Sequence, residues 1–259
     1  MEYQLPQNNY GHCLHGGPKG FQYRIFNAVQ KSNQEVQLTY QAKDGEEGFP
    51  GNFQCTVTMK LTDDNAIDIQ YEAETDKPTI VNMTNHSYFN LDGNPSKDNS
   101  SYLLTLNADH YTPVDSTFMT TGEIASVEGT PMDFRQPTAI GANINQDFAQ
   151  LKNGNGIDHN WVLNTQGDIS KVCATLESPT TGIVLDVYTN EPGIQVYCGN
   201  FLDGTLTGKK GIVYNFRTAV CLETQHYPDT PNKPEWPSAV LRPGEKYQSQ
   251  CIYKFSVRK

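Results

Sequence analysis

Cys55-Thr56-Val57-Thr58-Met59-Lys60-Leu61-Thr62-Asp63-Asp64-Asn65-Ala66-Ile67-Asp68-Ile69-Gln70-Tyr71 contains two runs of alternating apolar and polar residues with Asp63-Asp64-Asn65 between them. Period-two alternation rich in β-branched and aromatic side chains is the pattern of a half-buried strand, and the Asp/Asn cluster is that of a turn. The pattern recurs on either side, in Val36–Tyr40, Leu103–Leu106, Ile183–Tyr188, Ile194–Tyr197 and Ile252–Phe255. Further turn signals stand at Lys43-Asp44-Gly45, Asp92-Gly93-Asn94-Pro95, Asn153-Gly154-Asn155-Gly156 and Asp203-Gly204. Helical periodicity is nearly absent; the best stretch, Ile140 to Leu151, is short and Asn/Gln-rich and predicts a turn or two of helix. No repeat, low-complexity tract or shift in composition divides the chain, so residues 1–259 are expected to form a single domain. Many short strands without intervening helices predict an all-β sandwich or barrel.

The bulk composition narrows the function. Of 259 residues, 36% are hydrophobic and 19% charged, which suits a packed core and excludes a disordered chain. The net charge of −10 argues against nucleic acid or an anionic membrane as partner, because both need clustered Lys and Arg. No apolar run approaches the ~20 residues of a membrane span. Met1-Glu2-Tyr3-Gln4-Leu5-Pro6 has neither the basic start nor the apolar stretch of a signal peptide, which points to the cytoplasm. The six cysteines, at 13, 55, 173, 198, 221 and 251, form no Cys-x-x-Cys pair and no zinc-type spacing; they read as buried free thiols, with no metal expected. There is no Gly-x-Ser-x-Gly elbow and no His-Glu-x-x-His helix, which removes serine hydrolases and zincins.

Five segments could carry chemistry. Leu14-His15-Gly16-Gly17-Pro18-Lys19-Gly20-Phe21 is a glycine-rich loop that lets backbone approach a ligand, but it lacks the ending of a phosphate loop. His15 there is either a ligand contact or a loop imidazole bonded to backbone. Val81-Asn82-Met83-Thr84-Asn85-His86-Ser87-Tyr88-Phe89-Asn90-Leu91 reads as a part-buried strand dense in amides and hydroxyls around one imidazole. Such a network suits sugar hydroxyls and acid–base work, or simply caps turns. In Gly156-Ile157-Asp158-His159-Asn160-Trp161-Val162-Leu163, Asp158 and His159 must face opposite ways on a strand, so one of them at most enters a given site. Trp161 either stacks on a sugar ring or fills the core. Thr189–Phe201 holds a Pro-Gly turn and then a strand on which Gln195 and Tyr197 share a face. Finally, Ala219-Val220-Cys221-Leu222-Glu223 leads an apolar strand into a carboxylate. Desolvation there raises a pKa toward that of a general base, unless backbone amides or an Arg hold the group.

Taken in order, these five segments resemble the aldose 1-epimerase (galactose mutarotase) family over nearly the whole chain. The second and fifth, with Asn-His-Ser-Tyr-Phe-Asn-Leu and Leu-Glu-Thr-Gln-His-Tyr-Pro-Asp, are the most specific. The resemblance implies a large antiparallel β-sandwich, often called a supersandwich, with the sugar in an open cleft. It implies His86 as general acid and Glu223 as general base, with His15, Asp158 and Gln195 on sugar hydroxyls and Ser87 and Tyr88 lining the site. Family members carry strands ahead of the His-Gly-Gly loop, one bearing a sugar-binding Asn-Arg pair; this sequence has no counterpart. An edge left exposed there would be covered by a second copy of the chain in a homodimer.

The reaction so implied interconverts the α and β anomers of a free monosaccharide of the glucose or galactose type. It needs one base, one acid and no cofactor. Two alternatives stay open: a non-catalytic carbohydrate-binding domain of the same architecture, and a relative acting on sugar phosphates, which would need more cationic side chains than Lys19 at its cleft.

Overall fold

The computed structural model describes residues 2–93 and 97–258. Of the turn predicted at Asp92-Gly93-Asn94-Pro95, Asn94 and Pro95 lie outside these. The chain falls into two compact units, Met1–Met83 with Thr230–Gln250 and Thr84–Asp229 with Cys251–Lys259.

The first unit contains β1 (Asn27–Ser32), β2 (Glu35–Ala42), β3 (Phe53–Leu61), β4 (Ala66–Thr75) and β5 (Thr79–Ile80). Strands β1 to β4 pair antiparallel in chain order. β3 and β4 are the two alternating runs, with Asn65 in the left-handed region at φ 63° between them. Cys55 lies opposite Ala73 and Val57 opposite Tyr71, all four buried, while Gln54, Gln70 and Glu74 are exposed. Phe53, Cys55 and Ala73 join Ala42, Val81 and Leu241 in one core, against which Phe21, Phe26 and Tyr40 pack. The Leu14–Phe21 loop is anchored in this unit. Gly17 adopts φ 96°, where a Cβ would lie 2.5 Å from Glu47 Oε2, and the Lys19 N–H donates to the same oxygen at 3.3 Å. A side chain at position 17 would therefore be strained and obstructed together.

In the second unit follow β6 (Leu103–Leu106), β7 (His110–Thr112), β8 (Ala125–Ser126), β9 (Thr138–Ala139), β10 (Asp158–Val162), β11 (Ala174–Glu177), β12 (Ile183–Thr189), β13 (Gly193–Tyr197) and β14 (Cys221–Gln225). β15 (Val240–Leu241) pairs with β5 in the first unit, and β16 (Tyr247–Val257) begins in the first unit and ends in the second. One sheet of the second unit runs β16-β12-β11-β6-β9 and another β14-β13-β10-β7-β8. Every pairing is antiparallel, as expected for the all-β sandwich. The helical stretch resolves into two single turns, Ile140–Asn143 and Ala149–Asn153. All six cysteines are free, five of them buried and Cys13 half-buried. Among the described residues no helix is long and apolar enough to cross a membrane.

Candidate active site

The site is assembled on one face of the β14-β13-β10 sheet. Cross-strand register places Asp158, Tyr197 and Cys221 in one row and Asn160, Gln195 and Glu223 in the next. Side chains two apart share a face, so all six project the same way. The opposite face carries His159, Trp161, Ile194, Val196 and Leu222, all fully buried. Trp161 is therefore core; its indole N–H donates to the Met132 carbonyl at 3.1 Å. Gly193 sits where a Cβ would lie 2.6 Å from Asn160 Oδ1 and 2.8 Å from the Tyr227 ring, so a larger residue would push this polar row apart.

The segment around His86 is not the strand its composition suggests. Residues 81–88 form no ladder; the Val81 N–H donates to the Ala239 carbonyl at 2.9 Å, and an isolated bridge joins Phe89 and Val220, with N–H···O distances of 2.8 and 2.9 Å. Upstream, the Ser87 N–H donates to Asn85 Oδ1 at 3.2 Å, a local bond that competes with strand pairing. Downstream, Asn90 Nδ2 donates to the Thr218 carbonyl at 2.8 Å. The segment is thus moored to the residues leading into β14, and His86 Nε2 comes to 3.4 Å from Glu223 Oε1. The His86 ring stacks on Tyr88 at 5.1 Å between centroids and meets Tyr197 edge-on at 6.2 Å. The imidazole is 30% exposed and the carboxylate 7%, so the histidine stands nearer solvent and the glutamate deeper.

Burial sets the electrostatics. All five residues of β14 are buried, and burial followed by the charge of Asp158 pushes the Glu223 carboxyl up to about 8. Burial also raises Asp158, to about 6, against the opposing pull of Gln195 Nε2, which donates to its Oδ1 at 2.7 Å. Gln195 Oε1 is buried and accepts no hydrogen bond from the protein. The face therefore offers a carboxyl held near neutrality, an imidazole beside it, and an amide–carboxylate pair with an acceptor to spare. Such a set can exchange protons and make hydrogen bonds, and aromatic rings wall one side.

The chain matches the family model described as aldose 1-epimerase over residues 1–254. This protein belongs to the aldose 1-epimerase family. Among its relatives, the galactose mutarotase of Homo sapiens is 45% identical over 257 residues, covering 99% of this chain and 72% of that protein. The aldose 1-epimerase of Escherichia coli is 43% identical over 244 residues, covering 93% of this chain and 70% of that one. The crystal structure of an aldose epimerase homologue from C. elegans superposes with a TM-score of 0.90 at 32% identity, covering all of this chain and 77% of the other. That of a galactose 1-epimerase from Lactobacillus acidophilus gives 0.84 at 31% identity, covering 99% and 74%.

In this family member, His86, Ser87, Tyr88, Asp158, Gln195 and Glu223 all lie in the second compact unit, whereas His15 belongs to the first, where it takes φ 53°. Ser87 contributes the backbone N–H noted above. Tyr197 shares the face with Gln195, as the strand pattern predicts; Cys221 was not singled out in sequence, although its two-residue spacing from Glu223 places it there. Tyr253 had no local signal. Its hydroxyl donates to the Leu222 carbonyl at 2.6 Å and lies 3.5 Å from the Asn85 carbonyl, the immediate neighbours of Glu223 and His86.

Proposed function

We propose that His86 donates and Glu223 accepts the protons exchanged as this aldose 1-epimerase opens and recloses the ring of its sugar. The observation that carries the reading is the 3.4 Å approach of His86 Nε2 to a buried Glu223 carboxyl. Glu223, ionised, takes the proton of the C1 hydroxyl; the C1–O5 bond breaks, and protonated His86 delivers a proton to O5. Rotation about C1–C2 turns over the aldehyde face. In the return, O5 attacks C1, His86 recovers its proton, and Glu223 protonates the new C1 oxygen. Because O1 and O5 are bonded to the same carbon, neighbouring acid and base groups are what the reaction requires. A base raised toward the working pH is also a stronger proton acceptor than an ordinary carboxylate.

Asp158 and Gln195 would hold sugar hydroxyls, Gln195 through the free acceptor at Oε1. Ser87 and Tyr88 line the site, Tyr88 offering a half-exposed ring to an apolar sugar face. The names of the mammalian relatives favour D-galactose as substrate. Freshly dissolved α-D-galactose followed by polarimetry tests the activity: the approach to equilibrium rotation is expected to accelerate in proportion to enzyme, and an unchanged rate would reject the substrate.

Tyr253 is a positioning residue in this scheme. Tyr253→Phe removes the donor to the Leu222 carbonyl, which is expected to cost about 1–3 kcal/mol of stability in denaturant titration. If the hydroxyl also aligns the pair, kcat falls by ~10-fold with KM unchanged, since small misplacements are expensive in rate. A loss of stability with kcat intact would leave Tyr253 a purely structural tie.

A further inference from the structure

Cys221 has no part in the mechanism above, yet it lies beside both reacting groups. It shares a face of β14 with Glu223, and one donor atom each from His86, Cys221 and Glu223 lies within 4.8 Å of the others. Among the described residues this is the one group of three His, Cys, Asp or Glu side chains so placed. We propose that these three side chains bind one zinc-like, thiophilic divalent cation and that the bound ion reversibly blocks mutarotation. The blocking rests on the roles proposed for His86 and Glu223; the binding does not.

The donor set selects the class of ion. Imidazole nitrogen, thiolate sulfur and one carboxylate oxygen suit zinc, whereas magnesium and calcium take oxygen almost throughout. The spacing is also that of a tetrahedral site. Zinc–nitrogen and zinc–oxygen bonds of ~2.0–2.2 Å place the two donors roughly 3.3–3.5 Å apart. His86 Nε2 and Glu223 Oε1 are 3.4 Å apart already. A zinc–sulfur bond of ~2.3 Å brings sulfur to about 3.5 Å from either donor, within reach of a side-chain rotation. Two of the ligands stand on a strand buried at every residue, and the third on a segment held by the Phe89–Val220 pairing, so the frame is preformed. The Asp158 charge, which disfavours a second carboxylate at Glu223, favours a dication there.

On binding, the Cys221 thiol and the Glu223 carboxyl each lose a proton to solvent, neutral imidazole coordinates through a lone pair, and the fourth position stays open. The ion then holds the nitrogen that would carry the acid's proton and the oxygen that would receive the base's.

Zinc titrated against the mutarotation of α-D-galactose is expected to inhibit fully at one ion per chain, with activity restored by chelator. Cobalt(II), as a spectroscopic probe, is expected to give a near-ultraviolet thiolate-to-cobalt charge-transfer band. Cys221→Ala should keep mutarotation, lose the band and raise the half-inhibiting zinc concentration at least ~10-fold, the scale of effect known for metal-site substitutions. Cys221→Ser, closer in shape, should do the same, and Cys13→Ser should change nothing. A Cys221→Ala or Cys221→Ser enzyme inhibited at the wild-type zinc concentration, or a wild-type enzyme without the cobalt band, overturns the proposal. A Cys221-dependent band in an enzyme that zinc fails to inhibit keeps the ion site and overturns the roles given to His86 and Glu223.

Discussion

Glu223→Gln is expected to slow mutarotation of α-D-galactose by roughly 10²–10⁴-fold, the usual worth of a positioned base, while sugar binding measured by calorimetry persists. The substitution keeps the shape of the side chain on β14 and the register with Gln195, so the site stays assembled. What it removes is the capacity to accept the C1 hydroxyl proton. His86→Asn should cost a comparable factor by removing the donor to O5. In the proposed roles the two groups serve one proton circuit, so the double variant should fall little below either single one. The pH profile separates a base from a bystander. With the carboxyl pushed up to about 8, the ionised fraction of Glu223 in the free enzyme grows with pH, which sets the climbing limb of a bell-shaped kcat/KM profile, and loss of the proton from His86 sets the falling limb. In Glu223→Gln the climb should vanish from the residual activity. A rate close to wild type in that variant would remove Glu223 from the mechanism.

The portion of this site that stands on regular strands was readable from sequence. Adjacency on a strand forces Asp158 and His159 to opposite faces, and the structure buries His159 entirely while Asp158 meets Gln195. Gln195 with Tyr197 and Glu223 with Cys221 follow the same period of two. Less readable was whatever depends on irregular backbone or distant packing. The stretch from Val81 to Tyr88 has strand-like composition, but the Asn85 side chain takes the Ser87 N–H, and after the single Val81 bond to Ala239 the next bridge is at Phe89. Composition cannot report that competition, because the outcome depends on Val220, more than a hundred residues away. Trp161 was open between a sugar platform and core until the Met132 carbonyl and the neighbouring Tyr111 and Phe134 rings placed it inside. Cys221 was visible as a strand residue. Its nearness to His86 was not, since only the folded mooring of the 84–90 segment brings the two together.

Glu223→Gln should also make the protein more stable than wild type at alkaline pH, with a gap that closes on acidification. The sign follows from proton linkage. Glu223 titrates at 4.5 in an ordinary environment and near 8 in the fold, so between these values the native state binds the proton more tightly than the unfolded chain. Stability derived from the neutral, buried carboxyl is complete below pH 4.5 and is lost as pH rises toward 8. Asp158, raised from 3.8 to about 6, adds a smaller loss of the same sign over a lower window. Glutamine has no proton to lose, so the variant escapes the Glu223 share. A rise of one pH unit in a pKa corresponds to about 1.4 kcal/mol, which sets the expected advantage at pH 8.5 at the order of 2–5 kcal/mol. For a chain of this size that is ~4 °C or more in Tm. Thermal unfolding of both proteins at pH 5 and pH 8.5 measures it. Parallel Tm values at the two pH values would mean that Glu223 ionises in the fold as it does in water, and that no stability is given up to keep a base inside the sheet. A gap confined to high pH would locate the cost of the catalytic carboxylate in its desolvation on β14, the same burial that raises its basicity.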